Sequence, residues 1–139
     1  MDALDQQLIA QLRHNARASI AELAARLKVS RGTVTNRIAK LERDGVIVGY
    51  TVKLRPDAAP DEIHAWTGIA VEGNQQSVIR ALLGEPGIEA LHDTNGRWDL
   101  LAELRVGNLN ELATALERIR RIKGISATET SIHLQSYRG

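Results

Sequence analysis

With 139 residues, no cysteine and 43% hydrophobic residues, the chain has the mass for one or two small domains with apolar cores and not for a large multidomain enzyme. No run approaches the roughly 18 apolar residues of a membrane helix, the N-terminus MDALDQQLIAQLRHN is unlike a secretory leader, and thiol chemistry is closed to it, so a cytoplasmic protein with no membrane partner is expected. The net charge of +1 hides an asymmetry: residues 1–55 hold ten Lys/Arg against five Asp/Glu, the remainder eight against twelve, so the two parts carry +5 and −4.

Leu4, Leu8 and Leu12 recur one helical turn apart behind Asp2, a candidate N-cap, and predict an amphipathic first helix. Ser19-Ile20-Ala21-Glu22 has capping-box spacing, with Ile20, Leu23, Ala24 and Leu27 as the buried stripe of a short second helix. Ser30 can cap a third, whose Val34, Ile38 and Leu41 share one face and which stops at Asp44-Gly45. Two helices joined by Lys28-Val29-Ser30 make a helix-turn-helix candidate. Gly49–Leu54 has a strand-like pattern, and the two prolines and two aspartates of Arg55–Asp61 mark a turn or linker.

The remainder carries a weak internal repeat. Gly73-Asn74 opens a helix with Val78, Ile79, Leu82 and Leu83 that closes at Gly87; Gly107-Asn108 opens another with Leu109, Leu112, Leu116 and Ile119 that closes at Gly124. Strands Ala65–Glu72, Ile88–Asp93, Asp99–Val106 and Ile125–Gln135 flank them, with a turn at Thr94–Trp98. The order βαββαβ is the ferredoxin-like plan, an antiparallel sheet with both helices on one face. The fold class is therefore α+β, with domains expected at 1–50 and 65–139 and a strand or loop linker at 51–64. Leu100, Leu101, Ala102 and Leu104 read as apolar on both sheet faces, so a second copy of the chain is expected to cover the outer one.

On the third helix, Gly32, Thr33, Thr35, Asn36, Ala39, Lys40 and Arg43 point away from Val34, while Arg31 and Arg37 flank the buried stripe. Small residues allow close approach to a major groove, hydroxyls and amides suit base edges, and cations suit phosphates. Ser30, Arg31, Gly32, Thr33, Thr35, Asn36, Arg37 and Lys40 are the candidate contacts to double-stranded DNA. Thr35, Asn36 and Lys40 are expected on bases or nearby phosphates, Arg31 and Arg37 on the backbone.

The segments Ile20–Ala24, Val29–Ile38 and "LERDGVIVGY" at 41–50, followed by the βαββαβ half, resemble the Lrp/AsnC family of prokaryotic transcription regulators over essentially the whole chain. The resemblance implies a winged-helix-like DNA reader joined to a ligand-sensing, dimerising domain, with dimers assembling further into tetramers or octamers. It also implies an effector pocket between C-terminal domains around a Gly-x-x-Asp turn, here Gly96-Arg97-Trp98-Asp99 after Thr94-Asn95. For an amino-acid effector, Asp99 would accept from the ammonium and the amides at 95–97 would serve the carboxylate. Thr128 and Thr130 match hydroxyl-bearing positions near that pocket. From the residues alone, Asn95-Gly96 is equally a tight hairpin turn capped by Asp99.

No catalytic or metal residues and no cofactor beyond a small-molecule effector are expected. The chain has no phosphate-binding Gly loop and no nucleophile elbow, and His14, His64, His92 and His133 fall at no ligand spacing. Two alternatives stand beside the regulator: a ligand-independent architectural DNA-binding protein, and a tetrapyrrole decarboxylase of the kind some similar proteins are, which would use C-terminal histidines. RNA binding by the sheet is disfavoured, because its central strands offer only Trp66 for stacking and this part of the chain is acidic.

Overall fold

The computed structural model describes residues 1–55, 58 and 61–138. It divides into two compact units, Met1–Val52 and Lys53–Gly139. Of the expected linker, Pro56, Asp57, Ala59 and Pro60 lie outside the described residues.

The first unit holds α1 (Ala3–His14), α2 (Ile20–Leu27) and α3 (Arg31–Arg43). Each begins at a side-chain cap: Asp2 accepts from Asp5 N–H, Ser19 from Glu22 N–H and Ser30 from Thr33 N–H. The reciprocal capping box closes at Asp2 and Asp5, not at Ser19 and Glu22 where the serine motif pointed. Leu8, Leu12, Leu23, Ala24, Val34 and Leu41 form the buried core. Lys28 leaves α2 in the left-handed region (φ 57°, ψ 45°), which turns the chain sharply enough for α3 to start at Arg31.

Residues 49–54 are not a strand. Their apolar residues Tyr50, Val52 and Leu54 are exposed, because among the described residues no strand of this chain lies alongside to complete a ladder. For the same reason the described part of the first unit contains helices only, and no wing hairpin.

The second unit is β1 (Ile63–Val71), α4 (Gln75–Leu83), β2 (Ile88–Asp93), β3 (Leu100–Val106), α5 (Leu109–Arg120) and β4 (Ile125–Ile132). The sheet order is β2-β3-β1-β4, every neighbouring pair antiparallel. This is the expected βαββαβ plan, with β1 starting two residues earlier than its pattern suggested and β4 ending three residues sooner. Ala65, Ile69, Leu100, Ala102 and Leu104 from the sheet pack with Val78, Leu82, Leu112, Ala115 and Ile119 from the helices. Leu100, Ala102 and Leu104 thus share the helix-covered face, and of the four apolar residues read in β3 only Leu101 faces outward, a correction to the two-faced reading. Glu85, after α4, is buried and takes a bidentate bond from Arg118 of α5 (2.8 and 2.7 Å), a clasp between the helix layer's two halves.

Candidate functional site

Two groups of residues carry the chemistry, one in each unit. On α3, Arg31, Gly32, Thr35, Asn36, Ala39, Lys40 and Arg43 are exposed, while Val34 and Leu41 are buried and Ile38 is half-buried. Among the described residues no carboxylate pairs with Arg31, Lys40 or Arg43, so this face presents three unneutralised cations around small and amide-bearing side chains. A Cβ on Gly32 would meet only Ser30 Oγ, at 4.0 Å, so the fold itself leaves room there for a side chain. Ser30 and Thr33 are occupied with one another: their hydroxyls lie 2.8 Å apart and Ser30 also caps the helix.

Arg37 sits apart from the other cations. Its Nη1 donates to Asp2 Oδ2 (2.5 Å) and Asp5 Oδ1 (3.2 Å), which ties the middle of α3 to the first turn of α1. The guanidinium beside it, then the Asp5 amide, hold the Asp2 carboxyl down at about 2, and the two carboxylates raise Arg37 in turn. The sequence reading sets Arg37 on the DNA backbone; here its Nη1 is engaged with two carboxylates of the same unit. Sequence spacing alone had no way to pair residues 35 positions apart.

The second group surrounds the connection between β2 and β3. It is a six-residue bend, Thr94–Asp99, and not a two-residue Asn-Gly hairpin: neither Asn95 nor Gly96 has positive φ. Thr94 N–H donates to Asp99 O (3.3 Å), the Thr94 hydroxyl donates to Trp98 O, and the Arg97 guanidinium lies 5.4 Å over the Trp98 ring. The indole covers Gly68 so closely that a Cβ there would fall 2.5 Å from its Cγ. Glycine is needed at 68 for that approach, and nothing in the local pattern of β1 announces it.

Asp99 Oδ2 accepts from Val71 N–H (2.8 Å), two residues past Ile69–Leu100, the last β1–β3 pair, where that ladder leaves a donor over. The carboxylate is thereby oriented, with Oδ1 open among the described residues, the arrangement a ligand cation would use. Thr128 and Thr130 are not brought to this bend. They stand opposite Ile69 and Thr67, on the helix-covered side of the sheet, and Thr130 Oγ1 lies 2.9 Å from Thr67 Oγ1. The indole over Gly68 lies on the other side, so the turn and the threonines are separated by the pleat.

That outer sheet face carries half-exposed Trp66, its ring edge-on to His133, together with Leu101 and a His92–Glu103 bond of 2.9 Å. Among the described residues no cluster of three or more His, Asp or Glu is arranged to hold a metal, and no helix is long and apolar enough to cross a membrane.

Known proteins share this organisation. Residues 1–42 match the AsnC-type helix-turn-helix domain and residues 65–138 match the Lrp/AsnC ligand-binding domain. An uncharacterized HTH-type transcriptional regulator of Pyrococcus abyssi is 32% identical over 134 residues, spanning 95% of this chain and 85% of its own. The solved structure of Escherichia coli AsnC is 26% identical with a TM-score of 0.78, covering 100% of this chain and 95% of that one. The leucine response regulatory protein of Mycobacterium tuberculosis is 25% identical with a TM-score of 0.81, covering 100% and 96%.

Proposed function

Because the chain belongs to the Lrp/AsnC family of DNA-binding transcription regulators, we propose that α3 reads the major groove and that a small metabolite, an amino acid in the first instance, binds at Thr94–Asp99 and changes how copies of the chain assemble on DNA. The observation that carries the first part is the exposed, unneutralised face of Arg31, Gly32, Thr35, Asn36, Lys40 and Arg43. Thr35 and Asn36 supply the groups that hydrogen-bond base edges, and Arg31 and Lys40 the charges that neutralise phosphates.

The effector reading rests on Asp99, whose carboxylate is oriented by Val71 N–H and keeps one oxygen for an ammonium group, beside an indole for an apolar side chain. The leucine-responsive relative supports an amino acid as the ligand class. Self-association through the outer sheet face, where Trp66 and Leu101 stand, gives the effector something to act on, since a ligand shifts only an equilibrium between states it binds differently. The reading is a regulator without catalysis, working in the cytoplasm.

The test begins with a duplex selected from a random library by binding to the protein, compared with an unselected duplex of equal length. Lys40→Ala is expected to weaken binding to both and to lower the salt slope by roughly one; unchanged binding overturns the assignment of α3. Thermal-shift titration with each of the standard amino acids is expected to find at least one that raises Tm in the wild type and fails to in Asp99→Asn, which keeps an acceptor for Val71 N–H but loses the charge. A full shift in Asp99→Asn overturns the site, and no shift with any amino acid overturns the ligand class.

A further inference from the structure

We propose that Arg37 is a positioning residue of the DNA-reading helix: Asp2 and Asp5 hold it so that it sets the pose of α3, and it makes no phosphate contact of its own. The inference rests on the reading that α3 enters the groove, and it assigns to a cation on that helix a role opposite to the one its charge suggests.

All four carboxylate oxygens of the two acids are used. Asp2 Oδ1 accepts from Asp5 N–H (2.9 Å) and Asp5 Oδ2 from Asp2 N–H (3.3 Å), which is the capping box of α1. The remaining two, Asp2 Oδ2 and Asp5 Oδ1, both take Arg37 Nη1. The guanidinium is therefore fastened to the backbone of α1's first turn through two side chains that are themselves pinned, and not to a mobile surface acid. Asp5 and Arg37 are also the more sheltered members, with 14% and 33% of their side chains exposed.

Charge argues the same way. The three groups together carry −1, so a phosphate approaching Arg37 meets two carboxylates already in contact with it, whereas Arg31, Lys40 and Arg43 offer positive charge without competition. The apolar contact of Leu8 and Leu12 with Val34 and Leu41 is not directional and tolerates rotation or axial slip of α3. A charge-assisted bond with defined donors and acceptors does not. Base-edge hydrogen bonds need tenths of an ångström, and phosphate attraction does not, so loosening α3 should harm selected sites and spare unselected ones.

The experiment measures binding to the selected and unselected duplexes across a salt series for Arg37→Gln, Arg37→Lys and Asp2→Asn/Asp5→Asn, with folding checked by circular dichroism. Arg37→Gln is expected to lose roughly tenfold on the selected duplex, the scale of one mismatched base pair, with binding to the unselected duplex and its salt slope unchanged. Arg37→Lys keeps the charge, but its shorter side chain does not carry a nitrogen to the place Nη1 occupies between the two acids, and it is expected to lose the same preference; it also serves if the glutamine variant fails to fold. The double asparagine variant removes two acids from near the DNA, yet is expected to lower the preference for the selected duplex by a similar factor. A salt slope reduced by about one in Arg37→Gln, full selected binding in Arg37→Lys, or a selected duplex bound more tightly by the double variant would each overturn the proposal. Failure of the parent reading is recognised separately, by Lys40→Ala leaving both duplexes unaffected.

Discussion

Among the described residues the helical unit closes six side chains into its core and the sheet unit eleven, and the two are specified by different kinds of contact. In the first, every helix start is set by a cap three residues from its partner, and the helices are joined by apolar packing, the Arg37 clasp and a bond from Arg26 of α2 to Gln11 of α1 (3.0 Å). In the second, alignment comes from ladders between residues far apart in the chain, such as Thr67 with Thr130 and Ile69 with Leu100. A unit built from local signals needs only one face of α3 for its core and can leave the opposite face bare and charged. A unit built from ladders has its inner sheet face consumed by packing, and keeps its variable chemistry at a bend between strands and on the outer face.

The sharpest way to break that comparison is to remove one fully buried leucine from each unit. Leu82→Ala should cost about 2–5 kcal/mol, and Leu23→Ala a similar amount, against cores of different size. Residue-resolved amide exchange should then show the helical unit losing protection altogether in Leu23→Ala while the sheet unit in Leu82→Ala stays cooperatively folded. Equal residual protection would mean that core size does not separate them.

A smaller effect is expected at the ion pairs. Arg118 holds the buried Glu85 carboxyl below its usual value of 4.5 against the opposing pull of burial. The folded value being the lower one, this contribution is complete above about pH 4.5 and is lost as pH falls through the depressed value. Glu85→Gln should destabilise the sheet unit by roughly 1–2 kcal/mol at neutral pH and flatten the acid limb of its Tm profile; an unaltered limb would show that other carboxylates dominate it. The clasp on α1 is expected to outlast neutral-to-mild acid, since Asp2 titrates at about 2.

The smallest stability change is expected at Gly32, where added bulk meets open space. Gly32→Ala should leave the melting curve unchanged or raise stability by up to about 1 kcal/mol through better helix propensity, while weakening DNA binding by blocking close approach. Undiminished binding would show that this turn of α3 stays clear of the groove.

Much of this was legible in residue order. Asp2, Ser19 and Ser30 announce their helices because a short polar side chain before an apolar stripe satisfies free amides, a local requirement. The turn read at 94–98, one residue short of the bend that forms, and the alternation of sheet and helix were legible for similar reasons. The alternating apolar pattern of residues 49–54 misled, because a strand exists only with a neighbour and the described residues place none beside it. Thr128 and Thr130 were matched to the pocket by residue type, but which sheet face they occupy follows from strand register, and one residue of slip reverses it. The closed box of Asp2 and Asp5 was half visible in its i, i+3 spacing; its partner was not.

What the amino-acid sequence determined by itself is the five helices and the four strands of the sheet among the described residues, their order, and the segregation of charge that gives the first 55 residues +5 and the rest −4. These depend on neighbours within a turn or two, or on composition alone. The tertiary structure decided which of those charges are free: it withdrew Arg37 into a bond with α1, fastened Asp99 to Val71, and left Arg31, Lys40 and Arg43 without a carboxylate partner among the described residues on the exposed side of α3. Availability for a partner is a property of distance in space, and only packing brings residues 2 and 37, or 71 and 99, within reach of one hydrogen bond.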